Sequence, residues 1–207
     1  MFHDRREAAL RLAERLATYK GSGPLVLGIP RGGVPMARLI ADALGGEVDV
    51  VLVRKLRAPG NPEFAIGSVD ESGWIFVADH AASTGADERY IEEEKQRQFD
   101  VLRQRRAQYT ADRSSIDPAG RSVIVVDDGL ATGATMIAAL HALRERKPAR
   151  LVCAVPVAPP DAAAAVAESC DELVCLETPA CFYAVGQFYR HFPQVEDDEV
   201  AAALKTA

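Results

Sequence analysis

The chain has 207 residues, of which 48% are hydrophobic and 26% are charged, and its formal net charge at pH 7 is -6. This composition is typical of one globular domain of ordinary size with an apolar core, and it excludes a disordered chain. The negative net charge provides no general attraction to nucleic acid or to an anionic membrane. Small molecules are therefore the expected partners, with no nucleic acid and no membrane among them.

The sequence contains no signal for export or for membrane insertion. No apolar run approaches the ~20 residues that a membrane-spanning helix needs, and the N-terminal sequence lacks the apolar centre of a secretory signal. The four cysteines lack the spacing of zinc or redox motifs, so free thiols are expected at Cys153, Cys170, Cys175 and Cys181. We therefore expect a cytoplasmic protein.

The first part of the chain predicts a helix, a strand and a second helix. Residues 4–19 place apolar side chains at helical spacing, which predicts a packing helix with charged residues such as Arg5 exposed to water. Residues 24–29 form a short apolar run that predicts a strand. A loop at 30–33 then leads into a predicted helix at 34–44, which ends at a pair of glycines.

The next segment begins with a strand, after which the alternation of helices and strands is interrupted. Residues 48–53 predict a second strand, which Arg54 and Lys55 close. Two apolar runs at 64–69 and 74–78 flank a turn and predict a β-hairpin.

The second half returns to alternating helices and strands after a long charged segment. Residues 87–109 have only a thin apolar stripe, which predicts a solvated helix lying across the body of the protein or across a partner subunit. A buried strand follows at 123–127. The remaining elements are a helix at 136–146, a strand at 151–155, a helix at 161–168 and a strand at 172–176.

This alternation predicts an α/β fold with a doubly wound, Rossmann-like sheet of five parallel strands in the order 2-1-3-4-5. The whole chain, 1–207, is predicted to be a single domain. Its core covers about 20–57 and 120–177, a flexible insertion of hairpin and long helix covers about 58–119, and a small C-terminal segment covers about 178–207.

The strand at 123–127 ends in residue types that suit a sugar phosphate. Asp127 and Asp128 follow four apolar residues, and carboxylates at a strand end can accept hydrogen bonds from sugar hydroxyls. The turn that follows exposes backbone N–H groups and two hydroxyls at the positive end of a helix, which suits a phosphate dianion. The residues of this turn are Ala131, Thr132, Gly133, Ala134 and Thr135.

The segment 123–135 closely resembles the phosphoribosyl diphosphate (PRPP) binding motif of the type I phosphoribosyltransferases. Its variant is most similar to the adenine-type enzymes, from which it departs at Gly129 and Ala134. Hypoxanthine-type enzymes usually carry an acid at the place of Ala131, so the resemblance argues against a 6-oxopurine substrate. The segment 53–67 is similar to bacterial phosphoribosyltransferases whose acceptor is not settled.

The motif has two other interpretations. An apolar strand that ends in two acids also occurs in the Walker B element of nucleoside triphosphatases. The chain has no G-x-x-x-x-G-K-[ST] sequence, so that interpretation lacks its phosphate-binding loop. A purely structural strand and turn would not explain why two acids and two threonines converge.

The resemblance also identifies a diphosphate loop and a mobile loop. Arg31, Gly32 and Gly33 match the diphosphate loop, in which many relatives have a cis peptide bond that precedes no proline. The first strand should lie beside the third, which would bring this loop next to the acid pair. Lys55 is the cation expected to point towards the diphosphate, and it lies in the segment that leads to the mobile loop.

The resemblance implies an Mg²⁺-dependent enzyme that transfers the phosphoribosyl group of PRPP to a nitrogen acceptor and releases diphosphate. The acceptor is expected to be a nucleobase, in purine or pyrimidine salvage, and a homodimer is compatible with this role. Asp127 and Asp128 would orient the ribose, while Arg31 and Lys55 would stabilise the leaving diphosphate. Mg²⁺ would be held mainly by PRPP, through water to one of the acids, so no protein metal site is expected.

Some residues leave the nucleobase chemistry open. Adenine-type relatives place an acid before a glycine of the mobile loop, whereas here Ile66 precedes Gly67 and the nearest acid is Glu63. Glu63 is interpreted as a loop or hairpin residue. The alternative to an enzyme is therefore a PRPP-sensing regulatory or binding protein that has lost transfer activity.

The C-terminal segment corresponds to the hood of the superfamily, which binds the acceptor. It contains five aromatic residues, Phe182, Tyr183, Phe188, Tyr189 and Phe192. One or two of these rings could stack on a base, or the rings could fill a small core.

Overall fold

Five parallel strands form the central sheet, in the order β2-β1-β6-β7-β8. The computed structural model describes residues 1–110 and 113–205, and the remaining residues of the predicted insertion and hood, 111–112 and 206–207, lie outside this part. The strands of the sheet are β1 Leu25–Gly28, β2 Glu47–Val50, β6 Ser122–Val126, β7 Arg150–Val157 and β8 Glu172–Glu177. The predicted fold class and strand order are confirmed.

Helices cover both faces of this sheet. The helices are α1 Arg5–Arg15, α2 Gly33–Leu44, α3 Glu88–Thr110, α4 Ala134–Glu145, α5 Pro160–Ala167 and α6 Asp197–Leu204. Alternate strand residues face opposite sides, so Ile124 packs in one apolar layer with α1 and α2, while Val125 packs in the other with α4 and α5. The continuous apolar strands therefore reflect burial on both faces.

A second sheet has three antiparallel strands in the order β3-β4-β5, formed by β3 Val53–Ala58, β4 Asn61–Asp70 and β5 Ile75–Val77. The predicted hairpin corresponds to β4 and β5, and Glu63 lies exposed on β4. The expectation that Arg54 and Lys55 close the second parallel strand is wrong. That strand ends at Val50, opposite Gly28, and both residues belong to β3 of the second sheet.

The end of β2 was predicted wrongly because one apolar run extends from the parallel sheet into the antiparallel sheet. Val51 and Leu52 are buried although they belong to neither strand, so the sequence between β2 and β3 shows no polar break. Periodicity alone cannot find a strand boundary inside such a run.

Helix α3 lies across the antiparallel sheet and reaches α6. The helix therefore lies across the body of the protein, which is one of the two positions expected for this segment. Buried polar groups fix its position. Gln98 accepts a hydrogen bond from Nε of Arg54 at 2.6 Å and donates one to the buried carboxylate of Glu94 at 2.8 Å. Further along, the Tyr109 hydroxyl donates to Asp197 of α6 at 2.8 Å.

Among the described helices, none combines the length and the apolar character that crossing a membrane requires.

Candidate active site

The C-terminal ends of β1 and β6 lie side by side, with Gly28 opposite Val126. The N–H of Ile29 donates to the Val126 carbonyl at 2.8 Å, so the loop after β1 is held against the acid pair after β6. The peptide bond between Pro30 and Arg31 is cis, as the resemblance predicts. A Cβ atom at Gly32 would collide with the Asp128 carboxylate, so only glycine permits this close approach.

The two carboxylates of the pair have different surroundings. Asp127 accepts a hydrogen bond from the backbone N–H of Asp128 at 2.9 Å. Burial raises the pKa of Asp127 well above its usual value, and the negative charge of Asp128 raises it further. Burial also raises the pKa of Asp128, but the guanidinium of Arg5 opposes this effect. Asp128 is therefore the acid whose charge has a cationic partner.

Arg5 is a site residue that the sequence analysis missed. Its Nε and Nη2 atoms lie 2.9 and 2.8 Å from Oδ2 of Asp128, and its side chain is only 14% exposed. The expectation that Arg5 faces water is wrong. Arg5 is the first residue of α1, where the chain end brings it over the strand ends, and nothing in helical periodicity signals a contact with a residue 123 positions away.

The predicted phosphate loop lies at the N-terminus of α4, which begins at Ala134, earlier than expected. Gly133 precedes the helix with φ +75°, a left-handed conformation that suits glycine. Ala131, Thr132 and Thr135 are exposed, so both threonine hydroxyls are accessible at the N-terminus of α4. This arrangement can hold a phosphate dianion.

The cations expected at the diphosphate occupy different places. The Arg31 guanidinium lies 3.7 Å from the carboxylate of Glu196, just before α6. The Gly33 N–H donates to the Ile29 carbonyl at 3.0 Å, so this amide is used within the loop. Lys55 lies opposite Ser68 on the antiparallel sheet and lines a pocket of about 240 Å³ with the first residues of α4. Lys55 is therefore close to the phosphate loop.

The hood aromatics mostly fill a small core. Tyr189 is 6% exposed and stacks on Phe192 at 4.7 Å, while the rings of Phe182 and Phe188 lie 5.2 Å apart. The Tyr189 hydroxyl donates to the backbone carbonyl of Asp128 at 2.7 Å.

Tyr183 differs from these four rings because it is 91% exposed. The segment that carries it reaches the acid pair, since a Cβ at Gly129 would lie 2.6 Å from Cγ1 of Val185. Of the five aromatic residues, Tyr183 is thus the one whose side chain is almost fully exposed to solvent.

Within residues 1–110 and 113–205, no group of three or more His, Cys, Asp or Glu side chains is arranged to hold a metal ion. The four cysteines are free thiols, and burial raises the pKa of Cys153. The chemical groups gathered at the sheet edge are therefore carboxylates, backbone amides, hydroxyls and arginines.

Known proteins with similar sequence or structure point to one family. The phosphoribosyl transferase domain family matches residues 4–192. Two curated Mycobacterium tuberculosis proteins, from strains CDC 1551 and H37Rv and both named provisionally as phosphoribosyl transferases, are 43% identical over 208 aligned residues. The match covers 100% of this chain and 47% of each relative, so the chain spans about half of their length.

A solved structure, that of TT1426 from Thermus thermophilus, is similar over nearly the whole chain. It has a TM-score of 0.89 at 49% sequence identity, and the match covers 98% of this chain and 97% of that one. The family match includes the segment 123–135, the loop at 31–33 and the first half of the C-terminal segment. The chain therefore belongs to the type I phosphoribosyltransferase superfamily.

Proposed function

We propose that the chain transfers the 5-phosphoribosyl group of PRPP to a nitrogen acceptor and releases diphosphate. The observation that carries this proposal is the convergence of two functional segments beside one acid pair. The loop at Gly32 touches the Asp128 carboxylate, and the phosphate loop at the start of α4 follows the same strand within a few residues. A ribose 5-phosphate that spans these groups would place its anomeric carbon near the diphosphate loop.

The main chemical demand of such a transfer is charge separation between the ribose and the leaving diphosphate. Asp127 and Asp128 would orient the ribose by accepting hydrogen bonds from its hydroxyls. Thr132, Thr135 and the first amides of α4 would hold the 5-phosphate. Arg31, with the backbone at Gly32, would stabilise the diphosphate as it leaves.

We assign Lys55 the same role as Arg31, which is to stabilise the leaving diphosphate electrostatically. Lys55 lies on β3 and lines a pocket together with Ala134, the first residue of α4.

Mg²⁺ belongs to the proposal as a companion of PRPP. The acid pair offers carboxylate oxygens, which suit this hard cation, but Asp127 and Asp128 alone are too few ligands for a protein-bound site. The diphosphate would supply most of the ligands, with Asp127 or Asp128 bound through water. When bound, the ion would neutralise charge on the leaving group.

We further propose a nucleobase as acceptor, with the exposed ring of Tyr183 as a stacking surface. We also propose that the protein acts in purine or pyrimidine salvage, in the cytoplasm. A homodimer is part of the same proposal, and light scattering of the purified chain tests it.

A PRPP-sensing protein without transfer activity is the second candidate, and one observation favours it. Ile66, at the position where adenine-type relatives carry an assisting acid, is fully buried in β4. This strand position therefore supplies no base to the acceptor.

Diphosphate release separates the two candidates. The protein would be incubated with PRPP and Mg²⁺ against a panel of purines, pyrimidines and simple amines. Release that depends on one class of acceptor supports transfer. Saturable PRPP binding without release for any acceptor would instead assign the site to sensing.

A further inference from the structure

We propose that Arg5 is a positioning residue of the ribose site, which orients the Asp128 carboxylate so that its other oxygen, Oδ1, accepts a ribose hydroxyl. This inference rests on the proposed function, because it gives Asp128 a ribose to bind.

The guanidinium of Arg5 is held by contacts with three other residues. Two of its nitrogens meet the same oxygen, Oδ2 of Asp128, at 2.9 and 2.8 Å. The third, Nη1, donates to the carbonyl of Pro193 at 2.6 Å, and the guanidinium lies 3.8 Å from the centre of the Phe192 ring. With both bonds to the carboxylate ending on Oδ2, Oδ1 is left as the acceptor for a ligand.

The backbone around Arg5 is fixed by the opposite end of the chain. The N–H of Phe2 donates to the Phe188 carbonyl at 2.7 Å, and the N–H of Arg190 donates to the Phe2 carbonyl at 2.9 Å. The N–H of His191 donates to the carbonyl of His3 at 2.9 Å in the same ladder. The hood is therefore built from both chain ends, and Arg5 projects from it towards the acid pair.

The charges around Asp128 explain why a cation lies beside its carboxylate. Asp128 faces Arg5 from α1, its neighbour Asp127 just after β6 and the hydroxyl of Tyr189, which donates to the Asp128 carbonyl. Two adjacent carboxylates disfavour each other's ionisation, and burial adds to this cost. Arg5 offsets it for Asp128, and its two charge-assisted hydrogen bonds hold Oδ2 in place.

The test compares ribose 5-phosphate with inorganic phosphate by calorimetry at neutral pH. Both probes carry a phosphate, so the ratio of their affinities isolates the ribose contribution. The variants are Arg5→Gln and Arg5→Lys, with Arg6→Gln as the matched control, because Arg6 is the next residue of α1 and is exposed.

In Arg5→Gln, we expect ribose 5-phosphate affinity to fall by about tenfold, as for loss of a charge-assisted hydrogen bond, while phosphate affinity stays unchanged. Arg5→Lys should restore part of the ratio, and Arg6→Gln should match the wild type.

Two results would overturn the inference. One is an unchanged affinity ratio in Arg5→Gln. The other is an equal loss for both probes together with a lower melting temperature, which would make Arg5 a purely structural residue. Failure of the proposed function looks different, since the wild-type protein itself would then bind ribose 5-phosphate no better than phosphate.

Discussion

Arg31 and Lys55 lie on different elements of the protein, and the contribution of each residue to diphosphate binding can be measured separately. Arg31 belongs to the loop after β1, whereas Lys55 lies on the antiparallel sheet beside α4. Both are assigned to the diphosphate, which PRPP carries and a nucleoside 5′-monophosphate lacks. We therefore predict that Arg31→Ala and Lys55→Ala weaken PRPP binding roughly tenfold and leave monophosphate binding nearly unchanged.

Calorimetric titration with both ligands checks this prediction, with Arg57→Ala as the control on the same strand as Lys55, since Arg57 is exposed on β3. Equal losses for the two ligands would place a cation at the phosphate loop. No loss for either ligand would remove that residue from the site.

The acid pair also predicts how stability depends on pH. Burial and the charge of Asp128 raise the pKa of Asp127 well above its unfolded value. A raised pKa gives stability that is complete below the unfolded pKa of about 4 and is lost as the pH rises through the folded value. At neutral pH, Asp127 should therefore destabilise the ligand-free fold.

Thermal melting of Asp127→Asn against the wild type tests this point. The variant should melt at a higher temperature at pH 8, and the difference should shrink at pH 4, where both proteins are uncharged at this position. A variant that is less stable at pH 8 would contradict the assignment of a raised pKa.

At the scale of elements, a buried ion cluster attaches α3 to the sheet. Asp49 of β2 is 1% exposed and accepts hydrogen bonds from Arg106 at 2.7 Å and from Arg113 at 3.2 Å. Arg106 also pairs with Glu71 in the turn between β4 and β5. One side chain thus ties together the parallel sheet, the antiparallel sheet and the long helix.

We predict that Arg106→Ala lowers the free energy of unfolding by about 3 kcal/mol, because Asp49 would stay buried with one cation fewer. Chemical denaturation measures this change. Arg103→Ala is the matched control, since Arg103 lies exposed on the same helix and should change stability by less than about 0.5 kcal/mol. Equal effects of the two substitutions would show that the cluster does not stabilise α3.

At the scale of the whole molecule, the sequence allowed the core to be predicted because its signals are local. Apolar strands that end in acids or glycines alternate with amphipathic helices, and the crossover rule then orders the strands. The acid pair and the phosphate loop are contiguous at 127–135, so their proximity needed no tertiary information.

The missed features depend on contacts between distant parts of the chain. Arg5 meets Asp128, and Phe2 pairs with Tyr189, only because the two chain ends come together over the sheet. The start of β3 was missed for a different reason, since the buried run through Val51 and Leu52 hides where one sheet ends and the next begins. Neither periodicity nor motif spacing contains this information.

We infer that one site at the edge of the parallel sheet binds the ribose 5-phosphate of PRPP. Competition calorimetry tests it most directly, with PRPP titrated into the protein alone and into protein saturated with a nucleoside 5′-monophosphate. Asp128→Asn and Thr135→Ala are the site variants, and Asp161→Asn, exposed on α5, is the control.

We predict that the monophosphate competes with PRPP, that each site variant loses at least about tenfold in affinity for both ligands, and that the control binds like the wild type. Simultaneous binding of the two ligands, or unchanged affinities in Asp128→Asn and Thr135→Ala, would contradict the claim.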